Sequence, residues 1–273
     1  MNRKGRLIAK IVLSVSVFLS LCFYFVNLIV TDSSPLKYLW LIAIFDTVCA
    51  IIIVRIFVDE NREILSMIEE KYAKDIIGAF DSEEKHRKKL LKAIYYFNQG
   101  KSKQSIDILK ALESKCHNTS DYKAVLLFIA LNYTNSGQDI QAMFYYEKAI
   151  KNGYASSNIY NNLGHLYAKA QENAQAHQNY DLAIYFDNMN IAAYHNKAQL
   201  CFKENNYKMA LELSEKALHI NPKYRPSSTL VAIIYALEGR TDEATEAKGR
   251  AIENGESAAS IERSILYYKR RNE

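Results

Sequence analysis

Residues 157–190 read SNIYNNLGHLYAKAQENAQAHQNYDLAIYFDNMN, and this stretch decides the fold. Tyr160, Leu163, Gly164 and Tyr167 fall at three-to-four spacing, and Ala176, Tyr180 and Ala183 repeat that spacing further on. This is the periodicity of two amphipathic helices in succession. The same register returns every 34 residues, in 123–156, 191–224 and 225–258. One alanine recurs as Ala142, Ala176, Ala210 and Ala244, a second as Ala149, Ala183, Ala217 and Ala251. Small residues at these places let a second helix approach a first. An aromatic slot between them holds Tyr146 and Tyr180, then Ser214 and Lys248. A first-helix tyrosine recurs as Tyr133, Tyr167 and Tyr235, with Cys201 standing in once. Gly137 and Gly239 fall between the two helices of their blocks, where a left-handed backbone is cheapest for glycine. Pro222 closes the third block. A match in one block can arise by chance; unbroken spacing over four does not.

The pattern resembles the W-x2-L-G-x2-Y … A-x3-F signature of the tetratricopeptide repeat family, with tyrosine in the tryptophan place. The resemblance covers the C-terminal two-thirds of the chain. It implies an all-α fold, an α-solenoid of helix-turn-helix repeats that carries no chemistry of its own and presents grooves to other proteins. A weaker, degenerate copy lies at 86–119, with Ala93, Tyr96, Gly100, Ser105 and Leu112 in register. Residues 120–122 separate it from the next block. Downstream, 259–273 reads as a capping helix, with Ile261, Ile265 and Tyr268 on one stripe and Glu262, Arg263, Lys269 and Arg270 outside.

The first 58 residues have another composition. A basic N-terminus, 1–10, precedes an apolar run at 11–30; a short loop, 31–35, leads to a second run at 36–58. Each run is long enough to cross a hydrocarbon core of about 30 Å as a helix, so the fold expected ahead of the solenoid is a transmembrane helical hairpin. A cleaved signal peptide fits poorly, because the apolar core is too long and no small-x-small site follows. Leu19-Ser20-Leu21-Cys22 departs from a lipoprotein site at Leu21, where a small residue is required. Arg3, Lys4, Arg6 and Lys10 precede the first span, while the loop offers Lys37 against Asp32. The positive-inside rule then puts both termini, and the repeats, in the cytoplasm. The style of the hairpin suits a bacterial cytoplasmic membrane. Reflection about the loop sets Asp46 at the depth of Ser20, a candidate intramembrane polar contact.

The chain's net charge of +5 is concentrated in that region: six basic and two acidic residues give it +4, leaving +1 for everything after Val58. So nearly neutral a remainder lacks the footprint of a nucleic-acid binder. A basic run from Lys85 to Lys92 is the local exception, read as a solvated helix face. Between hairpin and repeats, 59–85 places Ile64, Ile68, Tyr72, Ile76 and Phe80 on one stripe, an amphipathic linker helix. Asp81 with Glu84 offers a start for the next helix. Self-association through the hairpin or the linker stays open.

Catalytic constellations are missing from the sequence. The nine glycines are scattered, no HExxH or GxSxG occurs, and the six histidines and four cysteines show no metal or disulfide spacing. No enzyme activity, cofactor, metal or small-molecule substrate is expected. In tetratricopeptide superhelices the second, fifth, sixth and ninth residues of each first helix point into the concave face. The resemblance places Asn158, Asn161, Asn162 and His165 there from one block, and Ala192, His195, Asn196 and Gln199 from the next. Asn162 with Asn196 is similar to the asparagine ladder of the O-linked N-acetylglucosamine transferase superhelix, where exposed amides grip a peptide backbone by donating and accepting at once. The flanks depart from it: Leu127, Phe128 and Leu131 on one side, Thr229, Leu230 and Ile233 on the other. The clamp of chaperone adaptors needs inward Lys and Arg where Pro226 and Leu230 stand. Two readings of this face follow: a groove for a protein or peptide, or asparagines tolerated on an open helix with neighbouring helices covering the apolar ends. The functional expectation is a membrane-anchored protein-interaction scaffold; the alternative is an assembly subunit of a larger membrane complex, its contacts made by the hairpin.

Overall fold

The computed structural model describes Thr47 and residues 63–272. The hairpin expected at 11–30 and 36–58, with Ser20 and Asp46, lies outside the described residues except for Thr47. Among the described residues, no helix is long and apolar enough to cross a membrane. The chain divides into two units, 1–73 and 74–273. In the first, residues 63–71 are helical and Ile68 is buried.

The stripe from Ile64 to Phe80 does not form one continuous helix. A turn interrupts it at Tyr72, a short helical turn follows at Ala73–Ile76, and the chain then takes left-handed backbone at Gly78 (φ +74°) and Phe80 (φ +54°). Asp121 stabilises this departure. Its buried carboxylate accepts the Phe80 N–H at 2.7 Å through Oδ1 and the His117 N–H at 3.0 Å through Oδ2. Asp81 is not a helix cap; it pairs with Arg87, and Glu83 stands at the cap position, its carboxylate turned to His86 and His117 rather than to a capping backbone N–H.

Helix pairs fill the second unit: α1 (Glu84–Asn98) with α2 (Ser102–Glu113), α3 (Thr119–Asn135) with α4 (Asp139–Lys151), α5 (Ser157–Lys169) with α6 (Asn173–Phe186), α7 (Ile191–Lys203) with α8 (Tyr207–Ile220), and α9 (Arg225–Leu237) with α10 (Thr241–Glu253). Each pair packs on the next, and α11 (Ala258–Asn272) closes the stack against α9. The basic run lies on α1, where Lys85, Lys88, Lys89 and Lys92 are all exposed and Lys88 pairs with Glu84.

The turns show why the pairs repeat so closely. Positions 137, 171, 205 and 239 stand 34 residues apart, and all four have φ between +60° and +73°. The next N–H in each case reaches back to the first-helix register position: Gln138 to the Tyr133 carbonyl, Glu172 to Tyr167, Asn206 to Cys201 and Arg240 to Tyr235, at 2.9–3.0 Å. This is the Schellman closure, which satisfies a carbonyl that the helix end leaves open. Two blocks make it with glycine; Gln171 and Asn205 make it with a side chain present.

Within each pair the approach is limited by position 130, 164, 198 or 232, all buried and all Ala or Gly. Gly164 is the tightest. A Cβ there would stand 2.7 Å from the ring of Tyr180, which is itself buried on α6. Gly164→Ala should therefore destabilise the unit by about 1 kcal/mol, a 1–3 kcal/mol overpacking cost partly offset by alanine's better helix propensity. Chemical denaturation of the single and double variants checks this: the cost of the alanine should shrink in a Tyr180→Leu background.

Candidate functional site

The first helices α3, α5, α7 and α9 line one side of the stack, and the sequence-predicted residues lie along it. Their fates differ. Leu127 and Phe128 are buried; the Phe128 ring meets Phe97 of α1 edge-on with centroids 5.9 Å apart. The degenerate pair α1–α2 covers this end of the face, so these side chains are core, not groove. Leu131 is half-buried.

His195 is also core. It is 5% exposed, its Nδ1 lies 3.1 Å from Ser227 Oγ on α9, and Tyr224 meets its ring edge-on. Burial lowers its pKa to about 4, so the imidazole is neutral at physiological pH. The two asparagines expected to be exposed are half-buried and engaged. Asn162 Nδ2 donates to Tyr146 Oη at 3.0 Å, and Asn196 Nδ2 donates to Asn161 Oδ1 at 2.9 Å. Neighbouring repeats stand close enough for an amide to reach the adjoining helix, and a bond inside the protein takes the donor that a peptide would have used. Desolvation holds the Tyr146 hydroxyl up at about 12, so that it stays protonated and accepts from Asn162 while paired with Thr134. Asn158, His165 and Gln199 remain exposed.

Three of the predicted residues do meet at one place. A cavity of about 150 Å³ between α5 and α7 is lined by His165, Asn196 and Gln199 together with Lys169, Lys203, Ala168, Leu200 and Tyr180. The volume suits a side chain rather than a free metabolite, which needs about 300 Å³ or more. Lys169 is held by Asp139 at 2.6 Å; Lys203 has no acidic partner among the described residues. Among the described residues no carboxylate lines the cavity itself, although Asp139 touches it through Lys169. The Lys203 ammonium, an imidazole and two amides, beside a Lys169 already paired with Asp139, are groups that can donate to an anionic oxygen. The lysines escaped the sequence reading, although they stand 34 residues apart at the thirteenth position of their blocks. Their shared register was the available signal. Among the described residues, no group of three or more His, Cys, Asp or Glu side chains could hold a metal ion.

This architecture defines an α-solenoid of stacked helix-turn-helix repeats. The repeats are of the tetratricopeptide type: residues 124–152 and 191–224 match the tetratricopeptide repeat family. Similar solved structures agree on the fold. MamA aligns at 21% identity and a TM-score of 0.53 over 62% of this chain and 96% of its own. YrrB, described as a TPR protein with an unusual peptide-binding site, aligns at 16% identity and a TM-score of 0.52, covering 76% of this chain and 97% of its own. PilF of Pseudomonas aeruginosa reaches a TM-score of 0.58 at 17% identity, over 69% of this chain and 87% of its own. A comparison with curated proteins yields no match.

His195 gives this stack a pH dependence. Its folded pKa lies below the ordinary 6.5, so between about pH 6.5 and 4 the unfolded chain binds more protons. Its contribution is present above pH 6.5 and is lost as pH falls towards 4, by about 2 kcal/mol between pH 7 and pH 5. Thermal melts at those two pH values should draw closer together in His195→Gln than in the parent protein.

Proposed function

We propose that this chain is a non-enzymatic, membrane-anchored scaffold that holds a partner protein on its first-helix face, with an acidic side chain of the partner seated between α5 and α7. The observation that carries the reading is the cavity lined by His165, Lys169, Asn196, Gln199 and Lys203, in which Lys203 has no acidic partner among the described residues. A bound segment would run along α5 and α7, past Asn158 and Gln199. The anchor rests on the sequence: two apolar runs around a short loop, behind a basic N-terminus. The repeats then face the cytoplasm, at the inner face of a bacterial membrane.

A photo-crosslinking residue at Gln199 tests the groove in cells. It should yield a partner adduct that Lys203→Glu reduces about tenfold or more, since a hydrogen bond to a charged group contributes about 1.5–3 kcal/mol. The exposed Lys203 lets that variant keep the parent melting temperature. The same probe at Glu212, an exposed second-helix position, serves as the control. Equal adducts from both positions would move recognition off this face; capture that survives Lys203→Glu but fails when the hairpin is exchanged for unrelated spans would favour an assembly subunit. Orientation has its own test: a cysteine at Ser33 should react with an impermeant reagent from outside, and one at Glu273 should not.

A further inference from the structure

Among the described residues, α11 presents a face that the first helix of each repeat pair has covered. Register position 8 of the blocks is Ala130, Gly164, Ala198 and Ala232, each buried beneath the second helix of its own pair. In α11 that position is Leu266, 52% exposed. Tyr267 beside it is 60% exposed, and Arg263, Arg270 and Arg271 complete one continuous surface with them. Arg263, Leu266, Tyr267 and Arg270 run i, i+3, i+4, i+7 along the helix, the pattern of a helix face that packs on another helix. Leucine is too large for the close approach that Ala and Gly allow, so a helix seated here stands further out than those within the repeats.

We infer that this outer face of α11 is a second docking surface, which takes one acidic amphipathic helix of a partner protein. Charge selects the occupant. The salt bridge between Glu262 and Lys248 of α10 lies on another side of α11, and among the described residues the arginines of the outer face have no carboxylate partner. Among the described residues, the Arg263 guanidinium donates to the Ala259 carbonyl one turn back. Tyrosine and arginine are residue types enriched at protein-binding hot spots, and here they surround an exposed leucine. A second copy of this chain would set arginines against arginines across a twofold axis, which is unfavourable. A bilayer would be met by the continuous apolar face of an interfacial helix, but on α11 that face, Ile261, Ile265 and Tyr268, is turned inward, with Tyr268 against Phe202 at 4.8 Å.

The test uses the full chain in phosphatidylcholine nanodiscs and a fluorescein-labelled helical peptide with a leucine stripe flanked by glutamates. A lysine-flanked version is the control, and anisotropy reports binding. The glutamate peptide should bind and the lysine peptide should not. Arg263→Glu with Arg270→Glu should weaken binding about tenfold or more, as should Leu266→Ala with Tyr267→Ala, whereas Lys203→Glu should leave it unchanged. That last arm separates this surface from the groove. Arg263→Gln with Arg270→Gln gives the same readout should charge reversal lower the melting temperature. Absence of binding by the glutamate peptide, or binding indifferent to the α11 variants, would overturn the inference. So would arginine-dependent capture of phosphatidylserine vesicles, which assigns the face to lipid, or a Leu266-dependent rise in molar mass, which assigns it to self-association.

Discussion

The close approach of two helices within each repeat is the constraint on which the rest depends. It requires a small residue at one register position, and Ala130, Gly164, Ala198 and Ala232 supply it. Where the facing side chain is Tyr180, even a methyl group meets the ring at 2.7 Å. That contact fixes how closely α5 and α6 pack, and Tyr180 in turn lines the cavity beside His165 and Gln199. The left-handed turn at 137, 171, 205 and 239 serves the same end, because it reverses the chain in the fewest residues while satisfying a helix-end carbonyl.

The sequence exposed the repeat because a 34-residue period is a property of spacing, and spacing survives substitution. Glycine at 137 and 239 marks two turns; Gln171 and Asn205 form the same turn without announcing it. The linker shows the limit of periodicity as a guide. Ile64 to Phe80 keeps helical spacing, yet Asp121, over forty residues away, binds the Phe80 N–H and holds a different backbone. A stripe records which residues are buried together, not whether the backbone between them is continuous.

Legibility of the site stopped at the reach of side chains between repeats. Register put Asn162, Asn196 and His195 on the right helices. It could not show that Tyr146, Asn161 and Ser227 would take their hydrogen bonds. Those bonds join neighbouring repeats, and the geometry between repeats comes from packing rather than from either block alone. Phe128 carried the same ambiguity: an apolar residue facing a groove and one facing a degenerate repeat have the same sequence, and only the position of Phe97 distinguishes them. The lysines of the cavity were passed over for the opposite reason, since a long cation near a helix end ordinarily counts as solvated surface.

Burial is unequal along the stack. In α3 every residue from Ala124 to Ala130 is buried, enclosed by pairs on both sides, whereas α10 buries three alanines and α11 two isoleucines. In a structure whose parts touch only their neighbours, stability is local. With only Ile261 and Ile265 buried, α11 can therefore open while the α3 region stays shut. That asymmetry lets the exposed surface of α11 change without disturbing the cavity between α5 and α7, so that the two surfaces can vary independently.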